Sequence, residues 1–135
     1  MDNQVPQGMV RIDPFVIDRR SRYAATAFPV RSEAEFAQGM KQLLRVKRYR
    51  QADHHIVAYR IKTGSGGVRD YKNDGYRSPS KEAGAGMLVL EALRQAERCN
   101  LCVVVTRWYG GVHLGPDRFK HVKKAAEEIM ERIPQ

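Results

Sequence analysis

The chain has 135 residues and a net charge of +9, from 24 lysines and arginines against 15 aspartates and glutamates. This length suits one domain with a single hydrophobic core, and the apolar runs are too short for a membrane-spanning helix. Residues 1–7 are polar and lack the apolar stretch of a secretory signal, so we expect a cytoplasmic protein. The positive charge predicts an acidic or polyanionic partner, such as RNA or an acidic protein.

The first half of the chain predicts four strands and a helix after a short flexible terminus. We expect residues 1–8 to be frayed and residues 9–135 to form a single domain. Ser32 and Glu35 form a capping box, which predicts that a helix begins beside them, and Pro14 favours an edge position for the first strand. The predicted strands of this half are residues 9–17, 21–30, 56–61 and 68–72.

A second helix is predicted from Lys81 to about Arg98, with Ser80 as its cap. Gly84 and Gly86 lie near its start and weaken it by roughly 1 kcal/mol each relative to alanine. Something must offset this cost, so either the helix packs closely against the sheet there or a ligand approaches its first turn.

The last part of the chain predicts a buried strand and a final helix. Residues 101–106 are an uninterrupted apolar run, which is typical of a central strand, and Pro116 suits the first position of a helix that runs to about Arg132. The order ββαββαβα predicts an α+β fold, a two-layer sandwich with one mixed β-sheet and its helices on one face. The loop at 108–115 and the helix start at 80–87 are then expected at one end of the sheet.

The segment from Val105 to His121 joins a strand end, a glycine-rich loop and a basic helix start. Such a junction places backbone N–H groups beside cations, which predicts an anion site. The residues expected to bind an anion or a partner are Arg107, Trp108, Tyr109, Gly110, Gly111, Gly115, Arg118, Lys120, Lys123 and Lys124, together with Gly84 and Gly86.

The charges of the last helix run against its dipole. Cations crowd its N-terminal half and three glutamates lie in its C-terminal half. This reversal costs about 0.3 kcal/mol or more per residue near the helix end, and an anion bound by the N-terminal half would explain it. The alternative is a solvated face on which Lys123 pairs with Glu127 and Lys124 pairs with Glu128.

Cys99 and Cys102 have the C-x-x-C spacing of some redox and zinc sites. A redox pair opens a helix, whereas this pair lies between a predicted helix end and a strand start. A zinc site needs about four ligands, and His54 and His55 would complete it only if folding brought them there. We therefore expect two ordinary cysteines, no metal site and no cofactor.

Two segments of this chain resemble the signature of the YigZ/IMPACT family. They are R-W-Y-G-G at 107–111 and L-G-P-D-R-F-K-H at 114–121, and the second has the form of the eukaryotic IMPACT branch. The resemblance covers about residues 20–133. It implies the shared domain standing alone, without the RWD domain of IMPACT or the C-terminal ferredoxin-like domain of bacterial members.

The match is looser in two further segments. His54 with A-Y-R at 58–60 resembles the family's T-H-x-x-x-A-Y-R, and N-D-G at 73–75 with E-A-G-A-G at 82–86 resembles its acidic loop. In that loop Tyr76 follows N-D-G where the family has D-D-G-E, and a few extra residues precede the T-A-G equivalent. A role that depends on the family's acidic cluster, such as metal binding, is therefore not expected.

The resemblance implies a fold like the second domain of a small-subunit ribosomal protein and a role in translational control. IMPACT proteins compete for the large scaffold that activates the kinase of the amino-acid starvation response, which implies a link to stress. The first functional hypothesis is therefore a binding module that regulates translation through an acidic partner, either a translational-control protein or the ribosome.

Two other functions remain open. The second hypothesis is an RNA- or nucleotide-binding protein, in which Arg107, Trp108 and Tyr109 offer a cation and stacking faces, unless Trp108 is a lid on the core. The third is a hydrolase-like enzyme, with His54 as base, Asp74 as its partner or a metal ligand, and Arg107 against developing negative charge. It is the least favoured, because the sequence has no nucleophile elbow, phosphate-binding loop or complete metal set.

Overall fold

The computed structural model describes residues 5–134, which form one five-stranded sheet and four helices. The strands are β1 (Val10–Asp18), β2 (Ser21–Pro29), β3 (His54–Lys62), β4 (Val68–Asn73) and β5 (Leu101–Trp108). The helices are α1 (Glu33–Leu43), α2 (Lys47–Arg50), α3 (Ala85–Gln95) and α4 (Asp117–Glu131). The frayed segment expected at 1–8 lies in part, at 1–4, outside the described residues.

The sheet has the strand order β1-β2-β5-β3-β4, and every pairing is antiparallel. β5 is the central strand, as its apolar run predicts, and its residues 101–107 are all buried. The register places Arg107 between Tyr23 of β2 and His54 of β3. The last buried residue of the central strand is therefore a cation with a polar or aromatic neighbour on each side.

The α+β class and the order of the strands and long helices are confirmed. The structure differs from the expected two-layer sandwich in two details. The sheet is antiparallel rather than mixed, and α1 packs on the face opposite α3 and α4. The physical reason is that both faces of the inner strands are apolar: Ala25 and Val103 face α3 and α4, whereas Ala24 and Val104 need the cover that α1 provides.

The edge position of β1 and the cap of α1 agree with their sequence signals. The β1–β2 register shifts between Ile12 and Val16, on either side of Pro14. The Ser32 hydroxyl accepts a hydrogen bond of 3.1 Å from the Glu35 N–H. The Glu35 carboxylate accepts from the Arg31 N–H rather than from Ser32, so the reciprocal half of the capping box is shifted by one residue.

The start of α3 differs from the sequence prediction. The helix begins at Ala85 rather than Lys81, after Gly84 in a left-handed conformation with φ of 88°. Its cap is Asp74, whose carboxylate accepts from the N–H groups of Gly84 (3.2 Å) and Gly86 (2.7 Å). A Cβ at Gly86 would lie 2.8 Å from this carboxylate, so close approach by the chain itself explains the glycine there, whereas Gly84 has open space around it and is explained by its positive φ.

Both cysteines are free thiols, and burial raises the pKa of Cys102 well above its usual value. Within residues 5–134, no three histidine, cysteine, aspartate or glutamate side chains come together in a group that could bind a metal ion. No helix in the same range combines the length and apolar character needed to cross a bilayer.

Candidate functional site: a loop cleft and a basic ridge

Two loops meet at one end of the sheet and enclose a cleft of about 530 Å³. One loop joins β4 to α3, and the other joins β5 to α4. We call this site the loop cleft; it is lined by Asp53, His54, Ser80, Lys81, Glu82, Arg107, Tyr109, His113, Leu114, Gly115 and Arg118.

Arg107 lies at the base of the loop cleft and is only 4% exposed. Its Nη2 donates to Ser21 Oγ at 3.3 Å, and its Nη1 lies 3.6 Å from a carboxylate oxygen of Glu82. The guanidinium carbon is 5.5 Å from the ring centroids of both Tyr23 and Tyr109. Its Nε is buried and has no hydrogen-bond partner among residues 5–134.

Glu82 connects this buried arginine to the last helix. The same carboxylate oxygen that approaches Arg107 lies 3.0 Å from Arg118 Nε, and Arg118 also donates to the Gly115 carbonyl at 2.8 Å. The sequence prediction did not name Glu82 as a site residue. One signal could have found it, since Glu82 is the only acidic residue between positions 75 and 90.

His54 lies in the loop cleft, but Asp74 is not its partner. His54 Nε2 is 3.1 Å from the Ser80 hydroxyl, and its buried Nδ1 has no hydrogen-bond partner in the described part of the chain. Burial lowers the pKa of His54 below its usual value and favours the neutral ring. Asp74 instead caps α3, so the structure brings together only two of the three residues of the enzyme hypothesis, His54 and Arg107.

The two aromatic residues at the end of β5, Trp108 in the strand and Tyr109 after it, have different surroundings. Trp108 turns inward: its indole N–H donates to the Arg48 carbonyl at 2.9 Å and its ring meets that of Tyr49 edge-on. It is therefore a lid on the core, as the structural alternative anticipated. Tyr109 is 42% exposed and lines the loop cleft, and its N–H donates to the Asp53 carboxylate at 2.7 Å, which fixes the backbone beside the ring.

The glycines of the second loop have backbone roles. The Gly110 N–H donates to Ser21 Oγ at 3.1 Å, and Gly111 and Gly115 have positive φ values of 90° and 58°. The first N–H groups of α4 are not free, because those of Asp117 and Arg118 donate to the carbonyls of Leu114 and Gly115, each at 3.3 Å. An anion at the start of α4 would therefore meet side-chain cations rather than free N–H groups of Asp117 or Arg118.

The remaining predicted cations form an exposed strip along α4, which we call the basic ridge: Lys120, Lys123 and Lys124. The side chain of Lys120 is 73% exposed and lies 3.9 Å from Asp117. Within the described chain, no acidic group lies within 4.0 Å of the Lys123 or Lys124 ammonium. The pairs with Glu127 and Glu128 that the alternative interpretation predicts are therefore not formed, although both glutamates follow one helical turn later.

Comparison with known proteins identifies the fold and the family of this domain. A solved structure described as a hypothetical protein superposes with a TM-score of 0.73 over 96% of this chain at 18% identity, which shows a shared α+β fold. The family model of the Impact N-terminal domain matches residues 19–130. The chain therefore belongs to the IMPACT family, as the signature segments indicate.

Its relatives are longer proteins. Protein IMPACT homologs of Schizosaccharomyces pombe and Saccharomyces cerevisiae are each 40% identical to it, over 85% and 93% of this chain. The two-domain translational regulator Yih1 has a solved structure that is 34% identical and matches 98% of this chain with a TM-score of 0.65. The chain spans 39%, 47% and 50% of these three proteins, respectively.

Proposed function

We propose that this domain is a cytoplasmic binding module that helps to regulate translation by contacting an acidic surface of a translational-control protein or of the ribosome. Membership of the IMPACT family and the similarity to a translational regulator support the translational role. The net charge of +9 supports an acidic partner.

The main support for this proposal is the exposed positive charge of the basic ridge. Lys123 and Lys124 are exposed, and among the described residues no carboxylate lies within 4.0 Å of either ammonium group. The third ridge cation, Lys120, lies in the first turn of α4, where the helix dipole disfavours positive charge. An arrangement that costs helix stability and leaves charge unpaired is explained by a partner that supplies the missing negative charge.

RNA is the alternative partner, because Tyr109 offers an exposed ring beside Arg107 and Arg118. The inward position of Trp108 removes one of the expected stacking faces. An acidic protein surface needs only the ridge cations, so it accounts for more of the observed arrangement.

The test is co-sedimentation of the purified protein with ribosomes at physiological salt. We expect wild-type protein to pellet with ribosomes and the variant Lys120→Glu/Lys124→Glu to lose at least about tenfold in affinity, since each removed charge contact and added repulsion lowers binding. The matched control is Lys41→Glu/Lys47→Glu, which makes the same change of charge at exposed residues of α1 and α2.

The outcomes of this experiment distinguish a ridge-specific partner from a general charge effect and from RNA. Equal loss in the ridge variant and the control would show that net charge alone governs binding and would contradict the role of the ridge. Binding to deproteinised ribosomal RNA as tight as binding to ribosomes would favour the RNA alternative. No co-sedimentation of wild-type protein would exclude the ribosome and leave a soluble protein as the partner to be identified by cross-linking from Lys124.

A further inference from the structure

The loop cleft contains a buried guanidinium with unused hydrogen-bonding capacity. A guanidinium has five N–H donors in one plane. Within the residues that the structure describes, those of Arg107 have one hydrogen bond, at 3.3 Å to Ser21, and one ion pair, at 3.6 Å to Glu82, and its Nε has no acceptor. Buried polar groups are almost always paired in native proteins, so the arrangement is suited to a further acceptor at this arginine.

Glu82 already acts as an internal anion in the loop cleft. It lies between Arg107 and Arg118 and touches both, which shows that an acidic group fits between the two guanidinium groups. The lining has three cations, Lys81, Arg107 and Arg118, against the two acids Glu82 and Asp53. The cleft therefore keeps a net positive charge even with Glu82 in place.

Tyr109 adds an exposed aromatic wall. Its ring centroid lies 5.7 Å from that of His113 and 5.5 Å from the guanidinium carbon of Arg107. A planar base can stack on such a ring while its phosphate meets the arginines. The volume of about 530 Å³ lies within the usual range for small-ligand sites, and His54 and Ser80 add polar groups that suit sugar hydroxyls.

We propose that the loop cleft binds a nucleoside monophosphate, either free or at the end of an RNA chain, with the phosphate at Arg107 and Arg118 and the base against Tyr109. Glu82 is an internal competitor that the phosphate displaces from the two arginines. This site uses none of the basic-ridge lysines, so the inference goes beyond the proposed function and does not depend on it.

The test is calorimetric titration of the full chain with AMP, adenosine and inorganic phosphate at one ionic strength. We expect AMP to bind more tightly than either fragment. Arg118→Gln and Tyr109→Ala should each weaken AMP binding by about tenfold, since each removes a charge-assisted bond or a stacking face. Glu82→Gln should strengthen it by about tenfold, because the amide no longer competes for the arginines.

Two matched controls separate this site from general charge effects. Glu33→Gln removes an exposed acid of α1, whose carboxylate pairs with Arg69, and should leave AMP affinity within about twofold of wild type. Lys120→Glu/Lys124→Glu should also retain AMP binding within about threefold, since its charge change is exposed and screened. Loss of ribosome binding with retained AMP binding would thus separate the two proposals.

A short RNA with and without a 5′-phosphate distinguishes the two sources of the ligand. Tighter binding of the phosphorylated RNA than of AMP identifies an RNA end, and equal affinity identifies the free nucleotide. The proposal is overturned if AMP binds no more tightly than inorganic phosphate, or if Glu82→Gln remains folded by circular dichroism and gains no affinity.

Discussion

At the residue scale, two adjacent glycines shape the loop after β5 for different physical reasons. A Cβ at Gly110 would lie 2.2 Å from the backbone of Arg20, so this position requires the absence of a side chain. Gly111 has open space around it but a φ of 90°, so it requires backbone freedom. The sequence predicts that glycine is needed here, but the reason at Gly110 depends on the distant β1–β2 turn.

Replacing Gly111 with valine should lower the free energy of unfolding by about 1–3 kcal/mol, because a β-branched residue is strained at this φ. Urea denaturation measures the change. Gly64→Val is the matched control, since Gly64 also has open space but no positive φ. Equal stability of the two variants would show that the loop relaxes without strain.

The site residues differ in how far the sequence can predict them. Arg107, Tyr109 and Gly115 belong to one strand–loop–helix segment, so their proximity follows from local order. Glu82 and Ser80 reach the loop cleft from another loop, whose path is set by long-range contacts that no local pattern contains. Serine is preferred at helix N-caps, but the Ser80 hydroxyl contacts His54 instead of capping a helix.

At the element scale, the start of α3 is determined by a carboxylate from outside the helix. The serine preference and the periodicity both favour Ser80 as cap, but Asp74 offers two carboxylate oxygens to two N–H groups. A charged acceptor at a helix N-terminus is also favoured by the dipole. The four residues between Ser80 and the first helical residue, Ala85, are thereby free to form the wall of the loop cleft.

Asp74→Ala should lower the free energy of unfolding by about 1–2 kcal/mol, which is the usual cost of losing an N-cap side chain. Ser80→Ala should change it by less than about 0.5 kcal/mol, because Ser80 is exposed and does not cap α3. Thermal and urea unfolding of both variants measure the difference. A larger loss in the serine variant would restore the sequence prediction of the cap.

At the scale of the whole molecule, His55 links the face of the sheet covered by α1 to the short helix α2. It is 4% exposed, its Nε2 lies 2.8 Å from the Tyr49 carbonyl and its Nδ1 lies 3.0 Å from the Thr106 hydroxyl. A carbonyl oxygen only accepts, so Nε2 bears the proton and Nδ1 accepts from Thr106. Burial favours this neutral form of the ring. Because the ring is packed between β3 and α2, we expect its protonation to accompany global unfolding.

Burial, reinforced by the charge of Arg11, lowers the pKa of His55 to about 4 in the folded protein, against about 6.5 in the unfolded chain. Between these values only the unfolded chain binds the proton, so the free energy of unfolding should fall as the pH drops below about 6.5. By pH 5 this group should remove about 2 kcal/mol. Urea unfolding from pH 7.5 to 5 should show this slope in the wild type, whereas His55→Gln, which cannot titrate, should show a flatter profile. Parallel profiles would assign the slope to other groups, such as His54, and would contradict a dominant role for His55.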